Sequence, residues 1–127
     1  IAVVKSYFIQ NGNKVSSVKR NEALRMVIEV VVPKNMEYVL LEVPLPGGFV
    51  YNTQLGIAKN YHEIHREQFR DMTAIACRKL EPGKHKFYIE LIPRFNGSFT
   101  VLPAEFGQMY FPTFKAYSEK QTVLVGE

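Results

Sequence analysis

Leu24–Val32 (LRMVIEVVV) constrains this chain more than any other stretch. Leu24, Met26, Ile28, Val30 and Val32 fall on one face of an extended strand, with Arg25 and Glu29 on the other. A period of two belongs to a pleated strand, whose successive side chains point to opposite faces; a helix needs apolar residues every three or four positions. His85–Ile92 (HKFYIELI) repeats the pattern, with His85, Phe87, Ile89 and Leu91 opposing Lys86, Tyr88 and Glu90. Strands with one apolar face bury it against a second layer.

Turn chemistry cuts the remaining chain into similar short pieces. Ile1–Gln10 is rich in β-branched and aromatic residues and reads as a strand. Asn11-Gly12-Asn13 is a hairpin signal, because Asn and Gly tolerate positive φ. Lys14–Lys19 then reads as the returning strand and Arg20-Asn21-Glu22 as a second turn. Pro33-Lys34-Asn35 closes Leu24–Val32, and Glu37–Val43 is the next strand. Pro44–Asn60 is irregular; within it Leu45-Pro46-Gly47-Gly48-Phe49 resembles a turn with an aromatic anchor. His62–Asp71 is polar, and Phe69–Cys77 turns apolar. Glu81-Pro82-Gly83-Lys84 places Pro and Gly where a type II turn needs them. Pro93–Gly97 is a further turn and Ser98–Leu102 a short strand, with Phe99 expected in the core. Phe114–Tyr117 and Thr122–Val125 are expected to form a last pair around Ser118–Gln121. The expectation is an all-β, immunoglobulin-like antiparallel β-sandwich of about seven to nine strands, one domain over residues 1–127.

Composition narrows the function classes. Apolar residues make up 46% and charged residues 22%, a balance that suits a globular domain. The net charge of +4 comes from Lys and Arg spread along the chain, whereas a nucleic-acid footprint needs a concentrated patch. No run approaches the roughly 20 apolar residues of a membrane span, so no membrane contact is expected of this domain. The chain starts at Ile1 without a signal peptide, and an excised or processed domain is expected. The lone Cys77 permits no internal disulfide, and its apolar strand suits a small core side chain. No phosphate loop, His-Glu-x-x-His, Cys-x-x-Cys or nucleophile elbow occurs. His62 and His65 have no second ligand pair at metal-site spacing, and His85 starts a strand where it helps a turn. No catalytic residue, metal or cofactor is expected.

Pro103–Phe114 (PAEFGQMYFPTF) stands out chemically. Two prolines and a glycine argue for a loop, yet it carries Phe106, Met109, Tyr110, Phe111 and Phe114. Phe106, Phe111 and Phe114 suit a plug at one end of the sandwich. Met109 and Tyr110, mid-loop, suit a partner surface: tyrosine is rigid with a polar tip, and methionine adapts to irregular surfaces.

Val39–Phe49, Leu80–Ile92 and Gly97–Pro112, in that order, resemble the C-terminal domain of bacterial alpha-2-macroglobulins. The residues carrying the likeness are Leu45-Pro46-Gly47-Gly48-Phe49, Leu80-Glu81-Pro82-Gly83, Gly97-Ser98-Phe99, Pro103-Ala104 and Met109-Tyr110-Phe111-Pro112. The chain departs from the family at Arg70-Asp71, the remnant of a charged run, and at Phe111, where an acid is common. The resemblance implies a non-catalytic part of a large, envelope-anchored periplasmic protease trap. In members that carry the reactive bond, a bait segment is cut and a thioester in another domain acylates the attacker; in members that lack it, the same loop would be a docking surface only. Cys77 is followed by Arg78-Lys79-Leu80, without the glutamine that would receive its sulfur, so this chain is not the thioester domain. The implied partners are the thioester and neighbouring macroglobulin domains of the same chain and, through the whole protein, target proteases. Met109, Tyr110 and Phe111 are the implied contact to the thioester domain. The rival readings are a free-standing adhesion or ligand-binding sandwich, an enzyme's non-catalytic C-terminal domain, and a basic nucleic-acid binder.

Overall fold

The computed structural model describes residues 2–53 and 62–127, with the backbone alone for 111–114. Thirteen strands and no helix occur among the described residues. One sheet holds β1 (Val3–Gln10), β2 (Asn13–Val15), β4 (Leu24–Val32), β6 (Phe49–Tyr51) and β9 (Gly83–Pro93), in the order β2-β1-β4-β9-β6. A second holds β5 (Met36–Pro44), β7 (Glu63–Gln68), β8 (Met72–Leu80), β11 (Glu105–Gln108) and β12 (Phe111–Tyr117), in the order β12-β11-β5-β8-β7. A small sheet runs β10 (Gly97–Val101), β13 (Gln121–Gly126), β3 (Ser17–Lys19). The all-β sandwich class holds. The strand total exceeds seven to nine because ladders of three or four residues, such as β2, β3, β6 and β11, count separately.

The core follows the periods read from the sequence. Leu24, Met26, Ile28, Val30 and Val32 of β4 are buried, as are Phe87, Ile89 and Leu91 of β9. Val39, Leu41 and Val43 of β5, Ile75 and Cys77 of β8, and Phe106 of β11 join them in one apolar cluster. Val101, Val123 and Val125 bring the small sheet into the same cluster. Asn11 and Gly12 take φ of 54° and 81°, and Gln10 pairs with Asn13 across them, the geometry expected of a two-residue hairpin.

Three expectations change. Lys14–Lys19 is not one returning strand: β2 pairs with β1, and β3 then leaves to pair parallel with β13. Gln10 secures this switch, its amide accepting from the Lys19 N–H (2.9 Å) and donating to the carbonyls of Lys19 (3.3 Å) and Glu22 (3.0 Å). The last two segments do not pair with each other, because β12 lies on β11 and β13 lies on β10. Phe99 is half-buried rather than a core residue; its ring lies against Gly47 and Gly48.

Charged side chains are buried where they are paired. Arg66 on the edge strand β7 grips Glu63 with two hydrogen bonds (2.9 and 2.8 Å) and donates to the Tyr88 carbonyl on β9 (2.7 Å). Both side chains are almost fully buried, while their edge-strand backbone stays open. Bidentate geometry and a third acceptor satisfy a guanidinium that would otherwise be costly to bury. His62, outside the expected strands, packs edge-on against His85 at 4.8 Å, and His65 meets Glu67 at 3.4 Å. His85 bonds the Glu81 carbonyl (2.7 Å), bracing the turn before β9.

Candidate functional site

Pro103–Phe114 is not a free loop. Glu105–Gln108 and Phe111–Tyr117 form a β-hairpin, and Gln108 faces Phe111, so Met109 and Tyr110 alone make its turn. The prolines are tolerated for two reasons. Pro103 precedes the strand, and Pro112 sits on β12, the edge of its sheet, where a missing N–H breaks no inner ladder. The register shifts beside it: Gly107 faces Lys115 whereas Gln108 already faces Phe111. In the stem Lys115 pairs with Glu105 at 2.8 Å and Tyr117 donates to the same carboxylate at 3.2 Å. The hydrogen bond from Lys115 is the chief reason that carboxyl titrates below its usual range.

The tip projects apolar surface into solvent. Tyr110 is 71% exposed and Met109 40%. The Phe111 side chain and those of Pro112, Thr113 and Phe114 lie outside the described residues, so the plug expected of Phe111 and Phe114 does too. Phe106 is buried in the core. Sequence reasoning missed Tyr38. It lies on β5 beside the tip, meets the Tyr110 ring edge-on at 5.5 Å, and its carbonyl accepts the Met109 N–H at 2.8 Å. Its φ of 52° is unusual for a bulky residue. Nothing in Glu37–Val43 marks it, since its contacts are with a turn far away in sequence.

Most of the other motif residues quoted above have a structural reason inside the domain. Gly47 and Gly48 leave room for the Phe99 ring, and Phe49 is buried and stacked on Phe8 at 5.6 Å. Leu80 is buried, and Gly83 opens β9 at a φ of 129°, a conformation that favours glycine, in place of the expected type II turn. Ala104 is buried, its N–H donating to the Ser118 hydroxyl (2.7 Å) and its carbonyl accepting the Ser118 N–H (3.0 Å). Met109-Tyr110 is different: large, apolar and exposed. Cys77 is buried in the core, and burial pushes its thiol up to about 12, so it supplies no nucleophile.

The described residues define a β-sandwich that presents an exposed, largely apolar hairpin tip. The family model for the bacterial alpha-2-macroglobulin MG10 domain matches residues 1–113, and the chain belongs to that family. Among solved structures, trypsin-activated alpha-2-macroglobulin from Escherichia coli is similar over 99% of this chain, at 14% identity and a TM-score of 0.84. Salmonella alpha-2-macroglobulin reacted with methylamine is similar over 99% of the chain, at 14% identity and a TM-score of 0.81. The chain spans only 10% and 9% of those two proteins. A non-cellulosomal cohesin from Archaeoglobus fulgidus shares the fold more loosely, at 7% identity and a TM-score of 0.61 over 95% of this chain and 91% of that one. Comparison with curated protein sequences finds no match.

Proposed function

We propose that this chain is a non-catalytic domain of a larger, envelope-located bacterial protease trap, and that Met109, Tyr110 and Phe111 dock on its thioester domain and shield it. The exposed Met109-Tyr110 tip carries the reading: among the motif residues whose side chains are described, it is the large apolar pair that its own domain leaves exposed. A thioester is an activated acyl group that water or an amine can open. An apolar tip laid over it excludes both, gaining about 25 cal/mol per Å² of apolar area buried. A methionine sulfur against an aromatic ring adds about 1 kcal/mol. Such a contact holds while the trap is intact and is weak enough to part when cleavage of the bait rearranges it. The Salmonella relative was crystallised after reaction with methylamine, which makes that amine the natural probe.

The test is Met109→Ala with Tyr110→Ala in the full-length parent. The doubly substituted protein is expected to stay folded and to take up methylamine faster than wild type before any protease is added. Uptake at the wild-type rate by the folded protein overturns the reading. A second reading, a free-standing ligand-binding sandwich, shares this fold and predicts that the isolated chain binds a glycan or peptide.

A further inference from the structure

We propose that Tyr38 is a positioning residue, holding the Met109-Tyr110 turn in the one conformation that can dock; its functional consequence rests on the shielding role given above. Tyr38 interrupts a regular ladder. On its two sides Glu37 pairs with Lys79 and Val39 with Cys77, so β5 keeps its register against β8 while Tyr38 itself turns to φ 52°. An L-residue with a bulky side chain takes that conformation only where surrounding contacts hold it. Core packing does not hold it, because Tyr38 is 36% exposed and lies outside the apolar cluster.

What Tyr38 does contact is the turn, and it contacts both residues of it. Its carbonyl accepts the Met109 N–H at 2.8 Å, extending the β5–β11 ladder one step past Gln108. Its ring meets the Tyr110 ring at 5.5 Å and 72°, the edge-to-face geometry favoured by aromatic quadrupoles. One residue earlier, the Glu37 carbonyl accepts from the Gln108 amide at 3.4 Å. A two-residue turn beside an edge strand would otherwise sample several orientations of Tyr110. The Tyr38 ring selects one and leaves the outer part of Tyr110 free.

The experiment separates ring from backbone in the full-length protein. Tyr38→Asn keeps a residue that tolerates positive φ and loses the ring, whereas Tyr38→Phe keeps the ring. Hydrogen exchange resolved to the Met109 amide is expected to speed up about five-fold in Tyr38→Asn, the scale of one aromatic pair, and to match wild type in Tyr38→Phe. Amides of β4 and β9 should be unchanged in both. Wild-type protection of Met109 in Tyr38→Asn overturns the proposal. So does equal loss in Tyr38→Phe, or a rise in exchange across β4 and β9, which would mark Tyr38 as merely structural. Methylamine uptake by the same proteins reports the consequence: raised in Tyr38→Asn, wild-type in Tyr38→Phe. If Met109→Ala/Tyr110→Ala leaves uptake at the wild-type rate, the shielding role fails, and the exchange data still decide whether Tyr38 positions the turn.

Discussion

Gly48→Ala tests how the Pro-Gly turn and the Gly-x-Phe strand depend on each other, and Gly12→Ala is its control. Gly12 and Gly48 have nearly the same φ, 81° and 79°, so a Cβ at either carries the left-handed cost of about 1–2 kcal/mol. Their surroundings differ. A Cβ on Gly12 meets nothing within 4 Å, whereas one on Gly48 falls 2.6 Å from both Cε2 and Cζ of Phe99. The turn cannot retreat easily, because the Gly48 carbonyl accepts the N–H groups of Arg94 (2.8 Å) and Phe95 (3.4 Å). The Phe99 ring therefore has to swing away, uncovering apolar surface, at an overpacking cost of about 1–3 kcal/mol. Gly48→Ala is expected to cost about 2–5 kcal/mol in all, and Gly12→Ala only the backbone share. Urea unfolding of the 127-residue chain reads both, provided the m-value is unchanged. In a Phe99→Ala background the excess cost of Gly48→Ala should vanish. Equal costs for the two glycines, or an excess that survives in that background, refutes the reasoning.

Far-ultraviolet circular dichroism of the chain should show β-structure without a helical double minimum, and a strong double minimum would contradict the fold. Arg66→Met should lower stability by about 3–5 kcal/mol by stranding the buried Glu63 carboxylate. Adding Glu63→Leu should restore most of it in the same urea titration, and failure to do so would mean the pair is not the cause. Cys77 should react with a thiol reagent only on unfolding, and rapid native labelling would contradict its burial. Burial raises the Cys77 thiol from an ordinary 9.0, and burial with a hydrogen bond to Glu29 raises the Tyr7 phenol from 10.0, each to about 12. The folded state then holds these protons more tightly than the unfolded state. Their contribution is complete below the ordinary values and is lost as pH climbs toward about 12. The thermal midpoint should therefore fall from about pH 9 upward, less steeply in Cys77→Ala, and an identical slope in that variant would refute the assignment to the thiol.

The strands and many of their turns are legible in the order of residues alone. The alternation in Leu24–Val32 and His85–Ile92 named the buried face residue by residue, and Asn11-Gly12 named a hairpin, because pleat and turn conformations are local properties of neighbouring residues. Cys77 was legible as a core residue for the same reason. The candidate site was half legible: Met109 and Tyr110 stood out as apolar residues among turn formers, but their hairpin did not, because a proline excludes an inner strand and not an edge one. Which edges pair is settled by long-range packing. Backbone N–H and C=O groups are the same in every strand, so nothing in Ser17–Lys19 says that its partner is Gln121–Gly126, and the choice falls to the packing of Val18 and Val125 into the shared core. Tyr38 and Phe99 belong to that level too. Each meets a segment about 50 or more residues away, Tyr38 the Met109-Tyr110 turn and Phe99 the Gly47-Gly48 pair, and contacts at that separation exist only once the sheets have closed.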